Sequence, residues 1–277
     1  MNKLHFGTAG IPLSAQPRET VNGISQIHAL GLDSMELEFV RSVNITDEKA
    51  PEVQKIAKQE NVLLTCHASY FINLNAVDKA KIEASKKRIL HAARTLEKCG
   101  GWSVCFHPGF YLKSSKTEAY ANVKKSISQV VDVLKMEKNK VWIRPETTGK
   151  HSQFGNLEET LQLCSELDQC LPCIDFSHLR AYTLGKLNNY EEYCNVLEKV
   201  EKTLGKTALQ NLHLHCQGIE WTDKGERRHL EISEDKNWNY SDLMKALKDY
   251  KSTGVVVCES PNLETDALIL KKSYEKL

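Results

Sequence analysis

The chain has 277 residues, 41% of which are hydrophobic, and this is enough apolar surface for one large core. Its 37 Lys and Arg residues nearly balance its 36 Asp and Glu residues, which excludes binding of nucleic acid through bulk positive charge; any basic surface must be local. No stretch approaches the roughly 20 apolar residues that cross a bilayer, and no apolar signal region follows the first residues. We expect a cytoplasmic monomer with no membrane partner.

Short apolar runs alternate with amphipathic stretches along the whole chain. The predicted strands are residues 3–6, 34–39, 62–66, 102–106, 141–144, 171–175, 211–215 and 255–258. The predicted helices are residues 21–29, 51–59, 79–98, 117–136, 157–167, 190–204, 240–250 and 264–277. This alternation predicts parallel strands joined by right-handed crossovers. A doubly wound sheet has the same pattern, but eight strands with polar ends favour a (β/α)8 TIM barrel, as a single domain over residues 1–277.

Residues that can bind metal lie at the carboxyl ends of six of the predicted strands or just after them. They are His67, His107, Glu146, Asp175, His178, His215 and Glu259. One histidine after a strand is more often a structural hydrogen-bonding residue than a ligand. Because a parallel barrel presents all strand carboxyl ends on one face, however, the whole set converges on one pocket. His213 points to the same strand face as His215 but one layer deeper, where we expect it to pack or to support a ligand from behind.

The chemistry of this set points to a divalent metal. Imidazole with carboxylate suits zinc or manganese better than magnesium, which prefers oxygen ligands and retains its waters. There are enough ligands for at least two ions. Two ions about 3.5–4 Å apart can stabilise both the attacking and the leaving oxygen of a phosphoryl displacement. The residues therefore predict a metal-dependent hydrolase.

The nine cysteines are an odd number spread through strands and helices, which favours reduced thiols that act as small hydrophobic residues. Cys170 and Cys173 form one CxxC pair. Without a second pair nearby, the spacing does not favour a zinc ribbon. A redox role is not favoured either, since Cys173 falls inside a predicted strand.

The ordered motifs resemble the endonuclease IV family of apurinic/apyrimidinic endonucleases, within the xylose isomerase-like barrels. The motifs are residues 67–74 (HASYFINL), 107–109 (HPG), 146–149 (ETTG), Asp175 with His178, His215, and 259–261 (ESP). Residues 7–12 (GTAGIP) and 225–230 (GERRHL) are similar to an archaeal-type branch. The resemblance covers essentially the whole chain. It implies a DNA repair enzyme that cuts double-stranded DNA 5′ to an abasic site, leaving a 3′-hydroxyl and a 5′-deoxyribose phosphate.

The family uses three zinc ions, and the resemblance implies their ligands. These are His67 and His107 for the first ion, Glu146 as a bridge, Asp175, His215 and Glu259 for the second ion, and His178 and His229 for the third. Among them, the resemblance implies catalytic roles for Glu146 and Glu259.

The third site departs from the family pattern. Where the family has Asp two residues before the last histidine, this chain has Arg227, and arginine cannot bind metal. Glu226 or water is then a candidate ligand, and Arg227 a candidate phosphate contact. We expect two or three zinc ions per chain, with manganese as an alternative metal.

The resemblance also implies DNA contacts. Tyr70 and Phe71 match positions where the family inserts side chains at the missing base, although they could instead simply cover the barrel mouth. Arg41 is a candidate phosphate or gap contact. A local basic surface would come from residues predicted in loops on the same face, namely Lys113, Lys116, Lys150, Arg180, Lys224, Arg227 and Arg228.

Two other functions remain open at this point. One is a sugar isomerase or epimerase on the same barrel, which commonly holds one metal with mostly carboxylate ligands. The other is a non-catalytic protein that binds damaged DNA, a hypothesis that only Arg227 favours. His67, His107, Tyr70 and Phe71 favour the nuclease.

Overall fold

The computed structural model describes residues 2–277 and contains ten strands and ten helices in that range. The strands are β1 (Leu4–Ala9), β2 (Ser34–Glu38), β3 (Leu63–His67), β4 (Ser103–Phe106), β5 (Trp142–Pro145), β6 (Cys173–Asp175), β7 (Leu212–His215), β8 (Gly218–Thr222), β9 (Gly225–Leu230) and β10 (Gly254–Cys258). The helices are α1 (Thr20–Ala29), α2 (Ala50–Gln59), α3 (Lys79–Lys98), α4 (Lys116–Met136), α5 (Leu157–Ser165), α6 (Phe176–Tyr182), α7 (Tyr190–Leu204), α8 (Lys206–Leu209), α9 (Tyr240–Asp249) and α10 (Glu264–Glu275).

Eight of the strands form one parallel sheet in the order β5-β4-β3-β2-β1-β10-β7-β6. The two edge strands of this sheet are joined by parallel bridges from Ile143 to Cys170 and from Glu146 to Cys173. The sheet is therefore a nearly closed barrel, surrounded by helices. The predicted single-domain (β/α)8 TIM barrel is confirmed.

The antiparallel hairpin β8–β9 and the short helices α6 and α8 were not predicted. The first strand also extends to Ala9, beyond its predicted end at residue 6. The reason is Gly7, which resembles a turn residue in sequence but lies inside β1. A Cβ atom there would come within 1.8 Å of the Ser34 carbonyl oxygen on β2. The close approach of the two strands explains a glycine at this position.

The barrel strands alternate between two buried environments. On β7, Leu212 and Leu214 pack in the hydrophobic core, whereas His213 and His215 contact Glu36 in the barrel interior. Because successive side chains of a strand point to opposite faces, the apolar residues contact the helices and the polar residues line the barrel. Among residues 2–277, no helix is long and apolar enough to cross a membrane.

Candidate metal centre

The carboxylate of Glu146, just after β5, lies at the centre of four imidazoles. Its Oε2 atom is 3.1 Å from Nε2 of His67 and 3.6 Å from Nε2 of His107. Its Oε1 atom is 3.2 Å from Nδ1 of His178 and 3.3 Å from Nδ1 of His215. Each oxygen thus faces one pair of histidines, and imidazoles from four different segments of the barrel converge on this one carboxylate.

The ring of His67 is oriented by a contact of 2.6 Å between its Nδ1 atom and the backbone carbonyl oxygen of Ala68. This oxygen can only accept a hydrogen bond, so Nδ1 carries a proton and Nε2 is the nitrogen that faces Glu146. Metal-binding histidines usually have such a partner on the other ring nitrogen.

A second group of ligand atoms joins β5, β6, β7 and β10. It consists of Glu146, Asp175, His215 and Glu259, whose candidate ligand atoms all lie within 4.8 Å of one another. Asp175 also caps α6, because its Oδ1 accepts the backbone N–H of His178 at 2.7 Å. Its Oδ2 accepts a hydrogen bond of 2.8 Å from the Gln217 side chain. The short helix that follows β6 therefore fixes both Asp175 and His178.

The third group contains His178, Glu226 and His229. Nε2 of His178 lies 3.5 Å from Glu226, and Nε2 of His229 lies 4.0 Å from the same carboxylate. The hairpin β8–β9 brings Glu226 here by docking on the loop after β5, where the Glu226 backbone N–H donates to the Gly149 carbonyl oxygen at 2.9 Å. Gly225 has a positive φ of 95°, and a Cβ atom there would be 2.1 Å from that carbonyl oxygen.

Arg227 lies outside this group. Its side chain is 65% exposed and forms an ion pair of 2.6 Å with Glu220, which also binds Arg228 at 2.7 Å. Arg180, expected on the basic surface, is fully buried and paired with Asp235. That expectation was wrong for Arg180, since α6 turns its side chain into the protein.

The residues expected to contact DNA lie at the same end of the barrel. Tyr70 and Phe71 are 60% and 66% exposed, which is unusual for aromatic side chains. The ring of Tyr70 lies edge-on to that of His67, with centroids 5.3 Å apart. Arg41 is exposed and lines a small pocket with Ser69 and two basic residues of α3, Arg88 and His91.

Two carboxylates of β2, Glu36 and Glu38, were missed by the sequence analysis. Glu36 is fully buried and lies 3.0 Å from Nε2 of His215. Glu38 faces the metal-ligand residues, and burial together with the charge of Glu36 raises its pKa to about 8. The available signal was their alternation with Met35 and Leu37, which is ordinarily typical of a solvated strand face.

The charges of the centre suit a cation. Burial opposes ionisation of Glu146, yet the charges of His107 and His215 and further hydrogen bonds hold the pKa of its carboxyl well below its usual range. Burial and Glu146 act oppositely on the histidines: the pKa of His67 is raised to about 10, whereas burial lowers that of His107 to about 4. Imidazole and carboxylate ligands in these contacts fit zinc or manganese.

Sequence comparison identifies the family. A family model described as the xylose isomerase-like TIM barrel matches residues 24–277, so the chain belongs to that family. An uncharacterized protein of Methanocaldococcus jannaschii is 45% identical over 99% of this chain and 98% of its own length.

Two more distant relatives carry nuclease names. Apurinic-apyrimidinic endonuclease 1 of Plasmodium falciparum is 24% identical over 85% of this chain, which spans 40% of that relative. A probable endonuclease 4 of Chlorobium phaeobacteroides is 24% identical over 76% of this chain and 75% of its own.

Solved structures of two functional classes share the fold. A D-tagatose 3-epimerase-like protein superposes with a TM-score of 0.75 at 18% identity, covering 97% of this chain and 96% of its own. Endonuclease IV from Thermus thermophilus superposes with a TM-score of 0.74 at 17% identity, covering 98% of this chain and all of its own. At these identities the likeness establishes the barrel, and it does not discriminate between nuclease and epimerase.

Proposed function

We propose that this protein is a zinc-dependent endonuclease that hydrolyses the phosphodiester bond 5′ to an abasic site in double-stranded DNA. The observation that carries this proposal is the position of Glu146 between two pairs of imidazoles, with each oxygen facing one pair. A single metal site needs one group of ligands, whereas this centre has four groups of candidate ligands, each of which contains Glu146 or His178. A multinuclear centre suits phosphodiester hydrolysis.

The residues divide among three ions as follows. The first ion would be held by His67, His107 and Glu146, since both imidazoles contact Oε2 of Glu146. The second would be held by Glu146, Asp175, His215 and Glu259, and the third by His178, Glu226 and His229. In the third set Glu226 supplies the carboxylate that Arg227 cannot. Bound zinc would supply Lewis-acid stabilisation of the phosphate oxygens and acidify a water molecule. The protein's part is to hold these ligands rigidly through the contacts of Ala68, Gln217 and the α6 N-terminus.

Tyr70 and Phe71 support a DNA substrate over a small sugar. Both rings are exposed at the barrel mouth, and that of Tyr70 lies beside His67. An abasic duplex bound there would offer a gap for such a ring. A ring placed in that gap would replace stacking lost with the missing base. Arg41, on the same side, is positioned to contact a phosphate.

A sugar epimerase is the second candidate. The group of Glu146, Asp175, His215 and Glu259 would by itself hold one ion with three carboxylates and one imidazole. Such a site could bind the adjacent oxygens of a ketose. The epimerase would leave His107, His229 and the exposed rings of Tyr70 and Phe71 without a role, and for this reason we favour the nuclease.

Incision of a duplex with one tetrahydrofuran abasic analogue tests the proposal. This analogue cannot undergo β-elimination, so a product with a 3′-hydroxyl must come from hydrolysis. We expect incision at the analogue, none in the intact duplex, and two or three zinc ions per chain by mass spectrometry. Full metal loading without incision would contradict the nuclease; epimerisation of a ketohexose would then identify the sugar enzyme, and tight binding without turnover a damage-binding protein.

A further inference from the structure

A second cluster of ligand-type side chains lies inside the barrel. This inner cluster consists of Glu36 on β2, Cys105 on β4, Cys173 on β6 and His213 on β7, and all four are fully buried. Candidate ligand atoms of Cys105, Cys173 and His213, with one of His215, lie within 4.8 Å of one another. Cys173 and His213 precede Asp175 and His215 by two residues on their strands, so they point to the same face one step deeper. The proposed nuclease does not use them.

His213 turns one ring nitrogen towards Glu36. Ser103 Oγ lies 2.9 Å from its Nδ1 atom and orients the ring. The other nitrogen, Nε2, lies 2.9 Å from Oε2 of Glu36, yet this contact lacks the alignment of a hydrogen bond, and Nε2 has no other partner among residues 2–277. A buried polar pair that is close but poorly aligned gains little from its contact. One ion bound by both atoms would satisfy them.

The sulfur atoms complete the set. Cys105 Sγ lies 3.5 Å from Oε2 of Glu36 and 3.7 Å from Nε2 of His215. Around tetrahedral zinc, with Zn–S of about 2.3 Å and Zn–O or Zn–N of about 2.0 Å, sulfur lies about 3.5 Å from an oxygen or nitrogen ligand. Thiolate and imidazole ligands favour zinc over magnesium or calcium.

We propose that Cys105, Cys173, His213 and Glu36 bind one structural zinc ion inside the barrel, separate from the catalytic centre. The ion enters as the two thiols lose their protons to solvent, so its two positive charges are matched by two thiolate charges. Thr65 donates to Oε2 of Glu36 at 2.7 Å and leaves that oxygen a second lone pair. Zinc here would connect β2, β4, β6 and β7 and would be closed to water, as structural zinc sites are.

The inner site also affects the catalytic centre. His215 faces Glu146 and Glu259 with Nδ1, and Oε1 of Glu36 lies 3.0 Å from its Nε2. An ion bound to Glu36 would therefore hold in place the carboxylate that contacts Nε2 of His215, the ring nitrogen that faces away from Glu146. Such partners behind a ligand typically change metal affinity by about 10- to 100-fold.

Cobalt substitution tests the inner site in the full chain. Under reducing conditions, Co²⁺ bound by thiolates gives a near-ultraviolet charge-transfer band that imidazole and carboxylate ligands do not give. We expect this band in the wild type and its loss in Cys173→Ser. The matched control is Cys99→Ser, an equally buried thiol at the end of α3, which should keep the band. Cys105 also lies near His67 and Glu146, where it could bind cobalt without the inner site. A band that persists in Cys173→Ser would therefore overturn the proposal.

X-ray absorption of the zinc-loaded wild type requires no variant and covers the case in which Cys173→Ser does not fold. We expect sulfur neighbours at about 2.3 Å, and an environment of only nitrogen and oxygen would overturn the inner site. The result is independent of nuclease activity. Abasic-site cleavage without zinc–sulfur bonds would overturn only the proposal of an inner zinc site. Zinc–sulfur bonds without cleavage would overturn only the proposed nuclease function.

Discussion

The two faces of the barrel strands differ in what they do. Towards the helices, Leu64, Ile143, Ile174 and Leu214 pack in one hydrophobic cluster. Towards the barrel axis, the same strands carry histidines, carboxylates, thiols and an arginine. TIM barrels ordinarily fill this interior with bulky branched side chains. Here the outer layer must supply most of the stability, and the interior supplies candidate metal ligands.

This division has an electrostatic cost. Glu36 and Glu146 are fully buried, and an isolated buried carboxylate is strongly unfavourable. Each is surrounded by imidazoles rather than by lysine or arginine, so the compensating charge depends on protonation or on bound metal. The interior is consequently the part of the molecule whose energy depends most on pH and on ions.

The largest effect is expected from Glu146→Gln. Loss of the charged bridge should reduce incision by on the order of a thousandfold or more, since about 4 kcal/mol of transition-state stabilisation corresponds to that factor. The fold should remain, as judged by circular dichroism. Glu83→Gln, an exposed change on α3, is the matched control and should retain wild-type rates. Wild-type incision by Glu146→Gln would contradict the bridging assignment.

Leu214→Ala tests the outer face of the same barrel. Leu214 is fully buried, and we expect its truncation to reduce the free energy of unfolding by about 2–5 kcal/mol. Zinc content and incision by the folded fraction should change little. Val77, which is 86% exposed, provides the control in Val77→Ala, with an expected change below about 0.5 kcal/mol. Denaturant titration measures both; a loss of bound zinc in Leu214→Ala would show that the faces are not independent.

The two faces were not equally predictable from sequence. Runs such as residues 212–215 show where strands lie, because a short run between two helices can bury its apolar residues in a barrel only as a strand. Residues directly after strands, such as His107 and Glu259, follow from the rule that strand ends converge. Glu36 and Glu38 did not follow, since a polar residue at every second position is more typical of a solvent-exposed face.

Glu226 followed from the sequence only as one of two candidates, with water, for the third group. Its place beside His178 depends on the hairpin β8–β9 docking against Gly149, a contact between segments about 75 residues apart in sequence. The family position two residues before the last histidine is occupied by Arg227, which cannot bind metal. A hairpin whose partner is a distant loop leaves no periodic signal, so the tertiary structure was needed to show that Glu226 faces His178 and His229.

Zinc affinity should rise with pH because the interior holds protons that the ion must displace. Burial opposes protonation of His67, but its hydrogen bond with Glu146 and the charge of Glu146 raise its pKa to about 10, whereas burial lowers that of His107 to about 4. Bound zinc would therefore displace a proton from His67 at neutral pH and none from His107. We expect the affinity to rise about tenfold per pH unit between pH 7 and 9 for this one proton.

Competition with a chelator of known affinity measures this slope, and His67→Gln should reduce it by one proton. In zinc-free protein the raised pKa of His67 stabilises the fold below pH 6.5, and this contribution is lost as the pH rises through about 10. A zinc affinity that does not change with pH would contradict the displacement of a His67 proton by zinc.

Tyr70→Ala should have the smallest effect, because Tyr70 lies beyond both faces at the exposed rim. Stacking of a base on an aromatic side chain contributes about 1–3 kcal/mol, so we expect roughly tenfold weaker discrimination between abasic and intact duplexes. Zinc content should stay unchanged. Tyr70→Phe keeps the ring and should behave like the wild type, which separates stacking from the hydroxyl group. If Tyr70→Ala lost zinc, the main role of the Tyr70 ring would be its edge contact with His67, which would help to hold that metal ligand, rather than stacking on DNA.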